Sequence, residues 1–197
     1  MRICAIGDSF VNGAGDPDRL GWIGRLVSRK KQLHPDLTLY NLGVRRDTSG
    51  DIRRRWAGEV AARLPGGADG RLIFSFGVND CSPDENSEQP RVSSGDALEN
   101  AEAILSQASK MAPTLMAGPP PIADREVNAR IAALDTGLSE ISEAAGVPCL
   151  SVFEELLRSG IWMSEIEKGD GAHPGAGGYE ALANLIGEWR VWRGWFE

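Results

Sequence analysis

Three side chains in this sequence are of the types that acyl-transfer chemistry needs: a serine at 9, an aspartate at 170 and a histidine at 173. Serine is a poor nucleophile until a base takes its proton, and a neutral imidazole held in one tautomer by a carboxylate is the usual solution. Ser9 follows Gly7-Asp8 at the end of the apolar run Ile3-Cys4-Ala5-Ile6, so a glycine hinge delivers it to the carboxyl end of a strand. In an open parallel sheet that end is where ligands collect. Of the two histidines, His34 adjoins Pro35 between a helix and a strand, and its expected place is the opposite end of the sheet from Ser9. His173 lies three residues beyond Asp170 in a glycine-flanked loop, close enough for one turn to join carboxylate and imidazole. Each piece has a plainer reading, because Gly-Asp-Ser and Asp-Gly are ordinary turn composition and Asp170 is equally placed to cap the helix after it. The three together favour catalysis.

These residues need a scaffold, and the hydrophobic pattern supplies one. After the first strand, residues 13–21 form a Gly/Asp/Pro-rich loop, and Trp22, Ile23, Leu26, Val27 and Leu33 recur at helical spacing up to Pro35. Alternation over 37–42 into Gly43 predicts a second strand, with Asp47, Thr48 and Ser49 available to cap the next helix. In that helix Ile52, Trp56, Val60 and Leu64 make a narrow stripe with arginines between them. A third strand over 72–76 ends at Gly77, and residues 84–94 read as a polar loop over the strand ends. A helix to about Met111, a fourth strand over 114–117, a helix over 125–145 and a fifth strand over 147–152 come next. The last helix carries Leu182, Leu185, Ile186 and Trp189 on one face, directly after the Asp170–His173 loop. Strands alternating with long crossovers imply an α/β sandwich on a five-stranded parallel sheet.

Composition narrows the function classes. With 197 residues the chain fits one domain, and 42% hydrophobic with 25% charged residues is ordinary for a globular fold. The formal charge is −7, and the basic residues cluster only at 29–31 and 53–55, which excludes a broad nucleic-acid footprint and makes Arg53 and its neighbours a solvated helix face. Three widely spaced cysteines match neither a disulfide framework nor a zinc site. Met1 runs almost directly into the first strand and no apolar run approaches membrane-spanning length, so the expected location is cytoplasmic, without stable membrane insertion.

Four blocks occur in order along nearly the whole chain: Gly7-Asp8-Ser9-Phe10, Asn41-Leu42-Gly43, Gly77-Val78-Asn79-Asp80 and Asp170-Gly171-Ala172-His173-Pro174. In them the sequence resembles the GDSL, or SGNH, family of hydrolases. The resemblance implies one hydrolase domain over 1–197, a flavodoxin-like α/β/α sandwich with strand order 2-1-3-4-5, and a triad of Ser9, His173 and Asp170. It also implies an oxyanion hole from the backbone N–H groups of Ser9 and Gly43 and the Asn79 side chain. The activity implied is cleavage of small acyl esters through an acyl-enzyme, with no metal and no cofactor. Two positions depart from the family pattern. Phe10 replaces the leucine of the family's name, a change expected to alter only packing behind Ser9. Arg46 stands where many members have a second glycine, and with Arg45 it is placed either to meet an anionic substrate group or to face solvent. Trp22 and Trp162 are candidate walls of an acyl pocket, against the commoner core role of tryptophan. Trp189, Trp192, Trp195 and Phe196 suggest terminal packing or a self-association patch, hence a possible homo-oligomer. Two rival readings remain: an acyltransferase or thioesterase on the same site, and a non-catalytic flavodoxin-like binder whose Gly13-Ala14-Gly15 loop holds a phosphate.

Overall fold

A computed structural model describes residues 1–30, 34–84 and 87–197 of the chain. The elements run β1 (Arg2–Gly7), α1 (Ser9–Asn12), α2 (Gly21–Ser28), β2 (Thr38–Gly43), α3 (Ser49–Arg63), β3 (Gly70–Ser75), α4 (Val78–Cys81) and α5 (Ser94–Met111). They continue through β4 (Thr114–Ala117), α6 (Arg125–Ala144), β5 (Cys149–Leu150), α7 (Phe153–Leu157), α8 (Gly160–Lys168), α9 (Ala176–Glu188) and α10 (Arg190–Arg193). The strands form one parallel sheet in the order β2-β1-β3-β4-β5, as the family resemblance implies. Helices α2, α8 and α9 pack together as one layer, and α3, α5 and α6 as the other.

The central strands are buried on both faces, which is why Ile3, Ile6, Ile73 and Phe74 come from near-continuous apolar runs. Trp56 of α3 meets Phe74 of β3 edge-on, with ring centroids 5.4 Å apart. The register aligns Gly7 with Gly43 on one side and Ser75 on the other, so three strands end at one level. Thr48 heads α3 as a capping box, accepting from Asp51 N–H while the Asp51 carboxylate accepts from Thr48 N–H.

Several boundaries differ from the sequence expectation. The second helix is described only to Ser28, and its expected continuation falls partly on residues 31–33, outside the described residues. The fifth strand is two residues, Cys149–Leu150, because only these pair with Met116 and Ala117 at the sheet edge. The segment 153–168, where the pattern gives no element, folds as α7 and α8. His34 precedes β2 at the amino end of the sheet and tilts over Phe196, 5.4 Å between ring centroids. Of the terminal aromatics, Trp192 is fully buried against Trp195 and Phe196, a packing cluster within the chain.

Candidate active site

Asp8 and Ser9 follow β1 directly. The Asp8 carboxylate caps the short helix α1 by accepting from Phe10 N–H at 2.9 Å, which fixes Ser9 as its first residue. Opposite it, the Asp170–His173 loop is held by two backbone bonds, Ala123 N–H to Gly171 O at 2.8 Å and Gly171 N–H to Ile166 O at 2.9 Å, and by His173 N–H donating to the Asp170 side chain at Oδ1, 2.8 Å. The two loops meet. His173 Nε2 lies 2.7 Å from Ser9 Oγ, and His173 Nδ1 lies 2.7 Å from Asp170 Oδ2. Sequence positions 164 residues apart are thus joined in one hydrogen-bonded series.

Partial burial alone would raise the Asp170 carboxyl. The His173 backbone N–H, the His173 ring and the Ala172 N–H outweigh it and hold its pKa down to about 2. Asp170 is therefore a carboxylate across the neutral range. Phe10 contributes more than bulk behind the serine. Its ring lies 5.0 Å from the His173 ring and 6.3 Å from that of Trp162, whose Nε1–H donates to Pro121 O at 3.0 Å.

Asn79, on α4, donates from Nδ2 to Asp47 O at 2.9 Å and lies 3.4 Å from Asp8 Oδ2. The first bond fixes the amide, and the second is long enough to leave that hydrogen weakly engaged. Gly43 is a different matter. Its N–H, an expected oxyanion donor, donates to Asn41 Oδ1 at 3.0 Å. Glycine is required at 43 because a Cβ there would sit 2.2 Å from Asn12 N and 2.7 Å from Asp8 O, where β2 and α1 nearly touch. The glycine-like backbone of this block lies instead at Arg46, with φ of 70°. Asp47 N–H donates to Val44 O at 3.3 Å, so residues 44–47 form a turn with positive φ at its third position, as in type II. Arg91 Nη1 closes on Arg46 O at 2.9 Å.

Trp22 and Trp162 are 1% and 0% exposed, so neither presents a wall to a substrate, and that expectation is corrected to core packing. The Gly13-Ala14-Gly15 loop packs rather than cradles: Ala14 O accepts from Tyr179 Oη–H at 2.7 Å, and Gly15 lies beneath His173. Its far side is tied down by buried Asp16, which accepts from the Arg25 guanidinium and from Gly21 N–H at 2.8 Å. Among the described residues, no group of three or more His, Cys, Asp or Glu side chains is placed to hold a metal ion. Nor, among the described residues, is any helix long and apolar enough to cross a membrane.

Four contributors are not evident from the sequence. Asn41 joins β2 to α1 through Nδ2 to Val11 O at 2.8 Å, and Glu165 accepts from Gly177 and Gly178 N–H at the head of α9. Asp8 is wholly buried, and Arg55 reaches Gly7 O at 2.9 Å. Asn41 and Asp8 lie inside the four family blocks, which is the signal that could have found them. Arg55 is hidden in a run of three arginines.

The family model for GDSL-like lipases and acylhydrolases matches residues 5–181, spanning all the loops of this site. The chain belongs to that family. As a GDSL-like acylhydrolase it is a carboxylic ester hydrolase, and its substrate is a small-molecule ester. Among solved structures, a lipase/acylhydrolase from Enterococcus faecalis is 23% identical over 94% of this chain and 93% of its own, with a TM-score of 0.73. Axe2, an acetylxylan esterase from Geobacillus stearothermophilus, is 16% identical over 97% and 95%, with a TM-score of 0.77. LAE5, an alpha/beta hydrolase enzyme from the metagenome of Lake Arreo, Spain, is 18% identical over 100% and 96%, also at 0.77. At these identities the likeness is one of fold. No curated protein matches the chain.

Proposed function

We propose that the chain, as one hydrolase domain over 1–197, cleaves small acyl esters with Ser9 as nucleophile, His173 as general base and acid, and Asp170 as its orienting carboxylate. The observation that carries this reading is the pair of 2.7 Å contacts linking Ser9 Oγ, the two ring nitrogens of His173 and Asp170 Oδ2. With Nδ1 protonated and bonded to Asp170, Nε2 is left with a lone pair facing the serine hydroxyl. As Oγ attacks the ester carbonyl carbon, its proton passes to Nε2 and the carbonyl electron pair moves onto oxygen. Collapse of that intermediate breaks the bond to the leaving alkoxide, which takes the proton from the imidazolium, and acyl-Ser9 remains. Water then gives its proton to Nε2 while attacking the acyl carbon; the bond to Ser9 Oγ breaks as the imidazolium returns that proton to Oγ, and the acid leaves.

The oxyanion needs donors already in place. We assign them to Ser9 N–H, to the Asn79 amide hydrogen that Asp47 O does not hold, and to the backbone N–H at Arg46, the position in the second block that adopts the glycine-like conformation. The acetylxylan esterase among the similar folds makes acetyl esters the first substrates to try.

The test is labelling by an active-site-directed fluorophosphonate, with turnover of acyl esters of graded length. One label per chain at Ser9 is expected, with His173→Ala abolishing turnover and His34→Ala leaving it within about twofold, since only His173 has a carboxylate to orient it. Labelling at another serine, or equal losses in the two histidine variants, sinks the assignment.

A further inference from the structure

We infer that Arg55 is a positioning residue for this reaction, a guanidinium clamp that holds the nucleophile turn, the 44–47 turn and Asn79 in register. The inference rests on the roles proposed for Ser9 and Asn79. Arg55 lies in the second turn of α3, and its side chain is 19% exposed, unlike its neighbours Arg53 and Arg54 at 44% and 72%. Its three nitrogens diverge onto three partners. Nη2 donates to Gly7 O at 2.9 Å, two residues before the nucleophile, and the same carbonyl accepts from Val44 N–H at 3.0 Å. Nε donates to Asp47 Oδ2 at 2.6 Å, and the backbone carbonyl of that same Asp47 accepts the Asn79 amide at 2.9 Å. Nη1 reaches Glu59 Oε1 at 3.2 Å, which ties the guanidinium back to its own helix.

One planar group therefore joins the backbone just before Ser9 to the Asp47 side chain of the 44–47 turn, with no hydrogen bond to Ser9 itself. A fork with fixed angles does this, and an ammonium on a flexible stem does not. The charge matters as well as the shape. Asp8 and Asp80 are buried beside this region and Asp47 is nearly so, and Arg55 is the cation bonded directly to one of the three. Without it, an uncompensated Asp47 carboxylate would stand next to the place where an oxyanion must form, and the turn carrying residue 46 would lose its tether. Oxyanion donors are worth most when their positions are set before the reaction, and an error near 1 Å costs on the order of 10² in rate.

The experiment measures kcat per fluorophosphonate-titrated site, KM and thermal melting for wild type, Arg55→Met, Arg55→Lys, Asn79→Ala, the Arg55→Met/Asn79→Ala double variant and Glu59→Gln. Arg55→Met should lower kcat per site about 10- to 100-fold with KM within about threefold, because the clamp acts on transition-state donors rather than on substrate binding. Arg55→Lys keeps the charge and covers the case in which Met prevents folding; it should still lose about tenfold. Free guanidinium should restore part of the Arg55→Met turnover, a response that a purely structural side chain does not give. The double variant should fall little below Asn79→Ala alone, since both losses pass through one donor set. Glu59→Gln, which touches neither turn, should keep kcat per site near wild type. If Arg55→Lys and the folded Arg55→Met both turn over within twofold of wild type per site while their melting temperatures drop, Arg55 is structural and the inference is overturned. Fully additive losses in the double variant overturn the route through Asn79. A wild type that neither labels at Ser9 nor hydrolyses esters defeats the functional reading itself, a failure seen before any Arg55 variant is made.

Discussion

Gly15 lies against His173 so closely that a Cβ on it would stand 3.0 Å from His173 Cβ and 2.7 Å from Pro174 O. Its φ of 85° is also one that a side chain resists. The loop after α1 thus forms the floor on which the histidine rests, and the buried Asp16–Arg25 pair anchors that floor from below.

Gly15→Ala should therefore displace the base rather than merely strain the loop. We expect kcat per titrated site to fall at least about tenfold, from loss of the aligned Ser9–His173 contact, and stability to fall by about 1–2 kcal/mol. Active-site titration beside a urea melt separates the two effects. Unchanged kcat per site would mean that the loop gives way and the histidine does not.

Glu165 controls the other side of the same histidine. Helix α9 begins two residues after Pro174 with no side-chain cap of its own, and Glu165 from α8 accepts Gly177 N–H at 3.2 Å and Gly178 N–H at 2.6 Å in its place. Glu165→Ala leaves those donors without a partner and removes a negative charge from the helix head. The expected cost is about 1 kcal/mol, or a drop of roughly 2–4 °C in Tm for a chain of this size. Glu165→Gln should lose less, since the amide oxygen still accepts.

Whether a residue's role is legible in the sequence depends on the range over which that residue acts. Strand ends marked by an apolar run and a glycine are local signals, so β1 to β4 and the position of Ser9 could be read directly. Asp170 and His173 are three apart in one turn, and their bond is also local. At Gly43 a glycine announces a need for close approach without saying to what, and here the neighbours are Asn12 and Asp8. Trp162 reads from sequence as available for substrate, but its indole N–H is spent on Pro121 O, 41 residues away, a pairing no spacing predicts. Helices α7 and α8 are short and separated by a break, so neither develops a stripe long enough to see. Arg55 differs from Arg53 and Arg54 only in which way it faces.

The turn at residues 44–47 allows backbone and side-chain roles at one position to be separated. Arg46 holds φ of 70°, costly for an arginine and free for a glycine. Arg46→Gly should keep kcat per site within about twofold, since the N–H stays where it was. Arg46→Pro removes the N–H and forces φ near −65°, and should cost on the order of 10² or more in kcat. A large rise in KM for Arg46→Gly at unchanged kcat would instead assign the guanidinium to substrate binding.

Asp8 gives a pH signature. Burial raises its pKa to about 7, against the Phe10 N–H that pulls it down and with help from the nearby Asp80 and Asp47 carboxylates. Unfolded, the same group titrates near 4. Between these values the folded protein keeps a proton on Asp8 that the unfolded chain has lost, so the folded state binds more protons and stability must fall as pH rises across that window. The stabilisation from the neutral acid is complete below about pH 4 and gone above about pH 7. Asp8→Asn keeps an oxygen to cap Phe10 N–H but removes the titration. Urea unfolding of both proteins from pH 4.5 to 8 should show the variant gaining on wild type as pH rises, by up to about 4 kcal/mol if the full shift is expressed. The Asp170 carboxyl, held near 2, acts in the opposite sense and only below about pH 4, so it does not interfere. Curves that stay parallel across the window would show that Asp8 is ionised in the folded protein throughout, with solvent or a cation reaching a carboxylate that the packing places out of contact with water.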